Sequence, residues 1–167
     1  MPLWLVFHPD GTFEDDASKE ALSTDITKIY TGIGWVTSAS ENQNSSHQCN
    51  SLPAFYVVVN FIKMPGNTMW VGGKKLSKDR PFVRVAIEHI AVTLANEDKA
   101  YQRTANAVDG ALKPHVADKG YDYEFHIDET ERRLWKINGM FPPAYKSEEE
   151  KIWVEENRAV PFEKGSL

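Results

Sequence analysis

Four apolar runs separated by two helical patterns leave this chain few ways to fold. The runs are residues 3–7, 54–62, 81–87 and 121–127, rich in β-branched and aromatic side chains, as strands require. Between the first two, Leu22, Ile26, Ile29 and Ile33 recur at the spacing of one helix face. Asp15-Asp16 offers the N-cap, and Gly32 or Gly34 the stop. Between the last two, a helix from about Ala95 carries Tyr101, Ala105, Val108 and Leu112 on one face, and Gly110 and Pro114 weaken its end between Leu112 and Val116. Strand, helix and strand therefore follow one another twice, a pseudo-repeat of βαβ units whose helices pack on a sheet. The run 54–62 is nearly continuous, as in a strand covered on both faces.

The remaining elements are short. Residues 8–11 are turn chemistry, and 68–71 form a short strand closed by Gly72-Gly73, which lacks the flanking strand and helix of a phosphate loop. Asp128 or Thr130 caps a short helix through Leu134, Trp135 and Ile137, with its stop at Asn138-Gly139. Ser147-Glu148-Glu149-Glu150 is a capping box that opens a last helix to about Asn157, and Pro161 ends ordered structure.

A length of 167 residues predicts one domain spanning 1–167. A net charge of −5 argues against a nucleic-acid binder, and Lys74, Lys75, Lys78 and Arg80 read as a solvated loop. No apolar run reaches membrane-spanning length, so a cytoplasmic protein is expected. The single cysteine, Cys49, excludes an internal disulfide, and no zinc spacing surrounds it. The sequon at Asn44 means little without a secretion signal.

The feature that points to chemistry is Pro2, directly ahead of the first strand. Removal of Met1 makes its ring nitrogen a secondary amine, and an amine screened from water loses preference for its charged form, which suits a base near neutral pH. The alternative is a proline that merely begins an edge strand, where its missing N–H costs nothing.

An amino-terminal proline on a double βαβ pattern resembles the tautomerase superfamily, in particular its cis-3-chloroacrylic acid dehalogenase-like branch with the fungal oxalocrotonate tautomerase-like proteins. Val71-Gly72-Gly73, Pro81-Phe82-Val83-Arg84, and Leu134-Trp135-Lys136-Ile137-Asn138-Gly139 followed by Pro142-Pro143 carry the likeness. It implies an α/β (α+β) fold with a four-stranded mixed sheet, two long helices on one face and short C-terminal helices. It also implies a homotrimer whose uncovered sheet faces meet around a three-fold axis, with Phe55, Val57, Val59, Val83 and Val85 supplying apolar residues for both faces of each sheet.

Carried over by position, the family's proline is Pro2 and its helix histidine is Tyr30. Its two arginines fall at Glu88 and Ala91, its tyrosine near His126, and its glutamate at Ile137, beside Asn138. The water-activating carboxylate of the dehalogenase is thus missing. The resemblance then implies a tautomerase that uses Pro2 as base on a small enol or keto carboxylic acid and needs no cofactor. A haloacrylate dehalogenase or hydratase, and a non-catalytic acid-binding relative, are the alternatives.

Pro2, Tyr30 and His126 are the catalytic candidates, and Arg84, Glu88 and Asn138 the substrate-binding ones. Arg84 is either the cation for the substrate carboxylate or half of a structural ion pair with Glu88 or another carboxylate. Tyr30 is a proton donor or helix packing, and Asn138 a ligand or a C-cap. Glu88 and His89, adjacent on a strand, point to opposite faces. Glu124, His126 and Asp128 share a strand face, a pattern that suits a metal but that cross-strand polar pairs also produce; no metal is assigned. Residues 35–51 read as a flexible insertion of coil-like composition, where relatives pass almost directly from Gly-Ile-Gly to Leu-Pro-Ala-Phe-Tyr. They are either a lid over the Pro2 pocket or a small intron translated in frame.

Overall fold

A computed structural model describes residues 2–32, 51–66, 68–77 and 79–162 of the chain. Strand β1 (Leu3–Pro9) leads into helix α1 (Asp16–Thr31), and β2 (Val58–Met64) returns beside β1. A small hairpin, β3 (Trp70–Val71) and β4 (Lys74–Lys75), precedes β5 (Phe82–His89). Helix α2 (Asp98–Leu112), β6 (Asp122–Glu129) and α3 (Glu148–Glu156) complete the order. The main sheet runs β2-β1-β5-β6. Each βαβ crossover joins parallel neighbours, β1 with β2 and β5 with β6, while β1 and β5 meet antiparallel at the centre. This is the four-stranded mixed sheet that the sequence implied.

Alternation along the central strands decides where the core lies. In β1, Trp4, Val6 and His8 are buried, and in β5 Val83, Val85, Ile87 and His89. These side chains share one face, which is covered by Leu22, Ile26 and Tyr30 of α1 and by Thr104, Val108 and Leu112 of α2. Asp15 caps α1 by accepting from the Ser18 backbone N–H at 2.7 Å. Across the layer, Asp25 of α1 meets His115 Nε2, just beyond α2, at 2.8 Å.

The other face carries Leu3, Leu5 and Phe7 of β1, flanked by Val58, Asn60 and Ile62 on one side and by Glu88, Ala86 and Arg84 on the other. No helix covers it. Val59, Val83 and Val85, expected to serve both faces, all belong to the helix-covered core. The apolar part of the open face comes instead from Leu3, Leu5, Phe7, Val58 and Ile62, all half-buried.

Two local expectations are corrected. Residues 54–62 are not one strand: Ala54–Tyr56 is a 3-10 turn and β2 begins at Val58. Phe55 and Tyr56 turn away to pack on Trp153 and Trp135, with ring centroids 5.8 and 4.8 Å apart respectively, so aromatic packing overrides their strand preference. Residues 128–138 do not form a helix either. β6 runs on to Glu129, a single 3-10 turn spans Arg132–Leu134, and Glu131 rather than Asp128 or Thr130 caps it. Asn138 and Gly139, with φ of 49° and 80°, then make a tight two-residue turn bridging Ile137 to Met140. Asn-Gly is the strongest signal for such a turn, and here it outcompetes the helix-stop reading.

Gly72-Gly73 plays the same part between β3 and β4. Ser147 caps α3 as expected, accepting from the Glu150 N–H at 3.2 Å. Of the expected insertion, residues 35–50 lie outside the described residues. No helix among those described is long and apolar enough to cross a membrane.

Candidate functional site

Pro2 is buried immediately ahead of β1, and its carbonyl accepts from the Val58 N–H at 3.0 Å, which ties it to the sheet. The alternation that buries Trp4 and Val6 carries Pro2 onto the helix-covered face. Leu3 pairs with Glu88, so extending the antiparallel register by one residue sets Pro2 beside His89.

His89 is only 1% exposed. Burial pushes its imidazole down to about 4, and the positive amino terminus of the chain adds to the effect. The ring is therefore neutral at physiological pH and a weak base, which leaves a freed Pro2 amine as the stronger proton acceptor of the two.

Tyr30 closes this corner from the last turn of α1. Its ring lies 6.1 Å from that of His89, and its hydroxyl accepts from Trp4 Nε1 at 3.0 Å. Burial raises the pKa of the phenol, so it stays protonated. Tyr30 thus has a packing role and a hydrogen-bonding role in one position.

The same end of the sheet holds a second polar group, which sequence reasoning did not find. Tyr56 is wholly buried, and its hydroxyl interacts with the Arg132 guanidinium. Burial, and then the negative charge of Glu150, raise its pKa. Arg132 donates through Nη1 to the carbonyl of Ala91, two residues beyond His89, and through Nη2 to that of Pro143 at 2.6 Å. Its Nη2 also lies 3.5 Å from Glu150 Oε1.

Glu150 is 3% exposed, and its second oxygen accepts from the Lys146 N–H at 2.7 Å. Burial raises its carboxyl pKa, against the pull of that N–H and of Arg132. The Arg132 guanidinium sits 5.6 Å above the Trp135 ring, which also meets Tyr56. Some of this was legible. The expectation that adjacent Glu88 and His89 point to opposite faces holds, Glu88 being exposed and His89 buried, whereas nothing around Arg132 marks it off from Glu131 and Arg133.

The other expected site residues lie elsewhere. Arg84 is opposite Phe7, five positions along β1 from Pro2, or about 16 Å, and on the open face. Its guanidinium pairs with Glu124 and lies 3.5 Å from His126 Nδ1. That arrangement is the structural ion-pair reading. His126, level with Ala86, shares the open face and sits 3.4 Å from Asp128. Glu88, the partner of Leu3, is nearest to Pro2 in register but exposed on the same open face. Asn138 occupies its turn with positive φ, a conformational role. The structure thus brings together Pro2 and Tyr30 of the expected set, and adds His89, Tyr56, Arg132 and Glu150. Among the described residues, no group of three or more histidine, cysteine, aspartate or glutamate side chains is placed to hold a metal ion.

Comparison with known proteins fits this architecture. Residues 1–36 and 39–158 match the family model described as "Putative oxalocrotonate tautomerase enzyme". RhCC of Rhodococcus jostii RHA1 is 36% identical, with 96% of this chain and 99% of that one covered at a TM-score of 0.80. A probable enzyme from the thermophilic fungus Aspergillus fumigatus is 40% identical, with 97% and 98% covered and a TM-score of 0.78. N1, a member of the cis-3-chloroacrylic acid dehalogenase family, shares the fold at 12% identity, with 93% and 97% covered and a TM-score of 0.60. Among curated proteins nothing matches the chain.

Proposed function

The chain belongs to the tautomerase superfamily, in the oxalocrotonate tautomerase-like family that its sequence matches, and we propose that it is a tautomerase whose base is the amine of Pro2. Once Met1 is removed, that amine takes the hydroxyl proton of a 2-hydroxy-alkenoic or phenylenolpyruvate-like acid. The oxygen becomes a carbonyl, the double-bond electrons move to carbon, and the new ammonium returns the proton there. Reactant and product are isomers, so no cofactor or co-reactant is required.

The observation that carries this reading is the placement of Pro2, buried at the head of a central strand and beside a neutral imidazole rather than a charged one. Enclosure disfavours the protonated amine, and Tyr30 and Trp4 wall the corner with a fixed hydrogen bond. Hydration or dehalogenation would need a second base for water. The buried carboxylate at this end, Glu150, is engaged by Arg132 and the Lys146 N–H, which favours the isomerase. Assembly as a homotrimer is part of the proposal, because the open face presents Leu3, Leu5, Phe7, Val58 and Ile62 without a helix among the described residues to cover them.

The test is ketonisation of phenylenolpyruvate, followed in the ultraviolet, by the wild type and Pro2→Ala. The variant is expected to fold normally and to lose most of its activity. An unchanged rate would remove Pro2 from the mechanism.

A further inference from the structure

β6 is an outer strand of the sheet, and α2 does not close over it completely. Phe125 and Ile127, in register with Val85 and Ile87, belong to the helix-covered face, yet both stay half-buried where their β5 neighbours are sealed. The gap is a cleft of about 420 Å3 between β6 and the first turns of α2, within the size range of small-ligand sites. We infer that this cleft binds a small aromatic amine, with its ammonium on Glu129 and its ring against the apolar walls.

The walls set the body of the ligand. Leu94, Ala105, Phe125 and Ile127 are apolar, and Tyr101, 43% exposed, adds an aromatic face. Ala105 matters by its size: one helical turn after Tyr101, its methyl leaves open the space that a larger side chain would fill. Thr104 is buried in the same wall.

The polar groups set the head. Glu129 is the only charged residue lining the cleft among those described. Its Oε1 accepts from the Leu94 N–H at 2.7 Å, which fixes the carboxylate in place, while Oε2 has no partner among the described residues. The Tyr101 hydroxyl donates to Asn96 Oδ1 at 3.0 Å, so toward a ligand its oxygen accepts. Two acceptors, one of them anionic, call for a donor that carries positive charge, and an ammonium also gains from the face of an aromatic ring. Lys99 and Arg103, the cations of that stretch of α2, lie about 160° around the helix from Tyr101 and do not line the cleft.

The cleft is separate from the Pro2 corner. His89, which pairs with Glu129, stands between them, so Pro2 is two strand spacings away, about 10 Å. A carboxylic acid, the substrate class proposed above, is repelled by Glu129, and the two sites therefore take ligands of opposite charge.

The experiment is calorimetry of the full chain at pH 7 and low salt with phenethylamine and with 2-phenylethanol, which has the same ring and chain without the charge. The amine should bind about tenfold or more tightly than the alcohol, the value of one charge-assisted hydrogen bond. Glu129→Gln, whose amide oxygen still accepts from the Leu94 N–H, should erase that preference, and Ala105→Phe, which fills the cleft, should lose both ligands. Folding of each variant is checked by circular dichroism and thermal melting.

Equal binding of amine and alcohol by the wild type, or a preference that survives in folded Glu129→Gln, overturns the inference. So does an absence of amine binding at about 10 mM, which corresponds to a very weak site. Should Glu129→Gln not fold, Ala105→Phe decides: loss of the amine supports the inference, and retained binding overturns it. A cleft covered by a second copy of the chain would show as no amine binding by the wild type and altered sedimentation of Ala105→Phe, which likewise overturns it.

Discussion

Acidification should destabilise this protein through His89, by an amount that follows from the burial of one ring. The imidazole is 1% exposed, and its pKa falls from an ordinary 6.5 to about 4. Below pH 6.5 the unfolded chain takes up the proton and the folded protein does not. Stability contributed by the neutral ring is thus present above pH 6.5, is lost as pH falls towards 4, and levels off below that. Between pH 7 and pH 5 the loss amounts to about 2 kcal/mol.

Other groups titrate nearby. His8, also buried, is shifted downward and acts in the same direction as His89, whereas the raised carboxyl of Glu150 acts in the opposite one. Both persist in His89→Gln and therefore cancel when the two proteins are compared. The assay is urea unfolding followed by tryptophan fluorescence at pH 7 and pH 5, for wild type and His89→Gln. The wild type should lose about 2 kcal/mol more than the variant over that interval. Equal losses would refute the claim that the ring beside Pro2 is held neutral by burial.

Three further outcomes are expected. Arg84→Ala, which breaks an exposed pair with Glu124, should cost less than about 1 kcal/mol in a thermal melt and leave ketonisation unchanged; a large loss of activity would return Arg84 to the site. Phe7→Asp, placed on the open face between Ile62 and Arg84, should convert a trimer to a folded monomer in sedimentation, and a wild type that is already monomeric at micromolar concentration would count against the trimer. Ser147→Ala removes the cap of α3 and should lower stability by about 1 kcal/mol in urea; a neutral result would mean that the contact to the Glu150 N–H carries no weight.

Elements dominated by local periodicity were legible in the sequence, and those settled by tertiary contacts were not. The spacing of Leu22 and Ile26 predicted α1 with its Asp15 cap, and the β-branched and aromatic run 81–87 predicted β5. Phe55 and Tyr56 look like strand residues, but Trp135 and Trp153, about 80 to 100 positions away, draw them into a turn. The same limit applies to the site. Pro2 announces itself by position, and Tyr30 only through the resemblance, at the family's helix-histidine position. Arg132 becomes conspicuous only when Ala91, Pro143 and Glu150 surround it, since one charged residue in Glu131-Arg132-Arg133 looks like another. Arg84 was the candidate cation, yet the register of β5 carries it five residues away from Pro2 and to the opposite face.

The most direct test of a free Pro2 amine is mass spectrometry of the purified protein after exposure to an electrophilic 2-oxo-alkynoic acid, with the modified residue mapped by peptide fragmentation. An enclosed secondary amine is the nucleophile best suited to add to the activated triple bond. The predicted result is a chain that begins at Pro2 and carries a single adduct on that residue. A chain that retains Met1, or an adduct on any other residue with Pro2 untouched, would contradict the account.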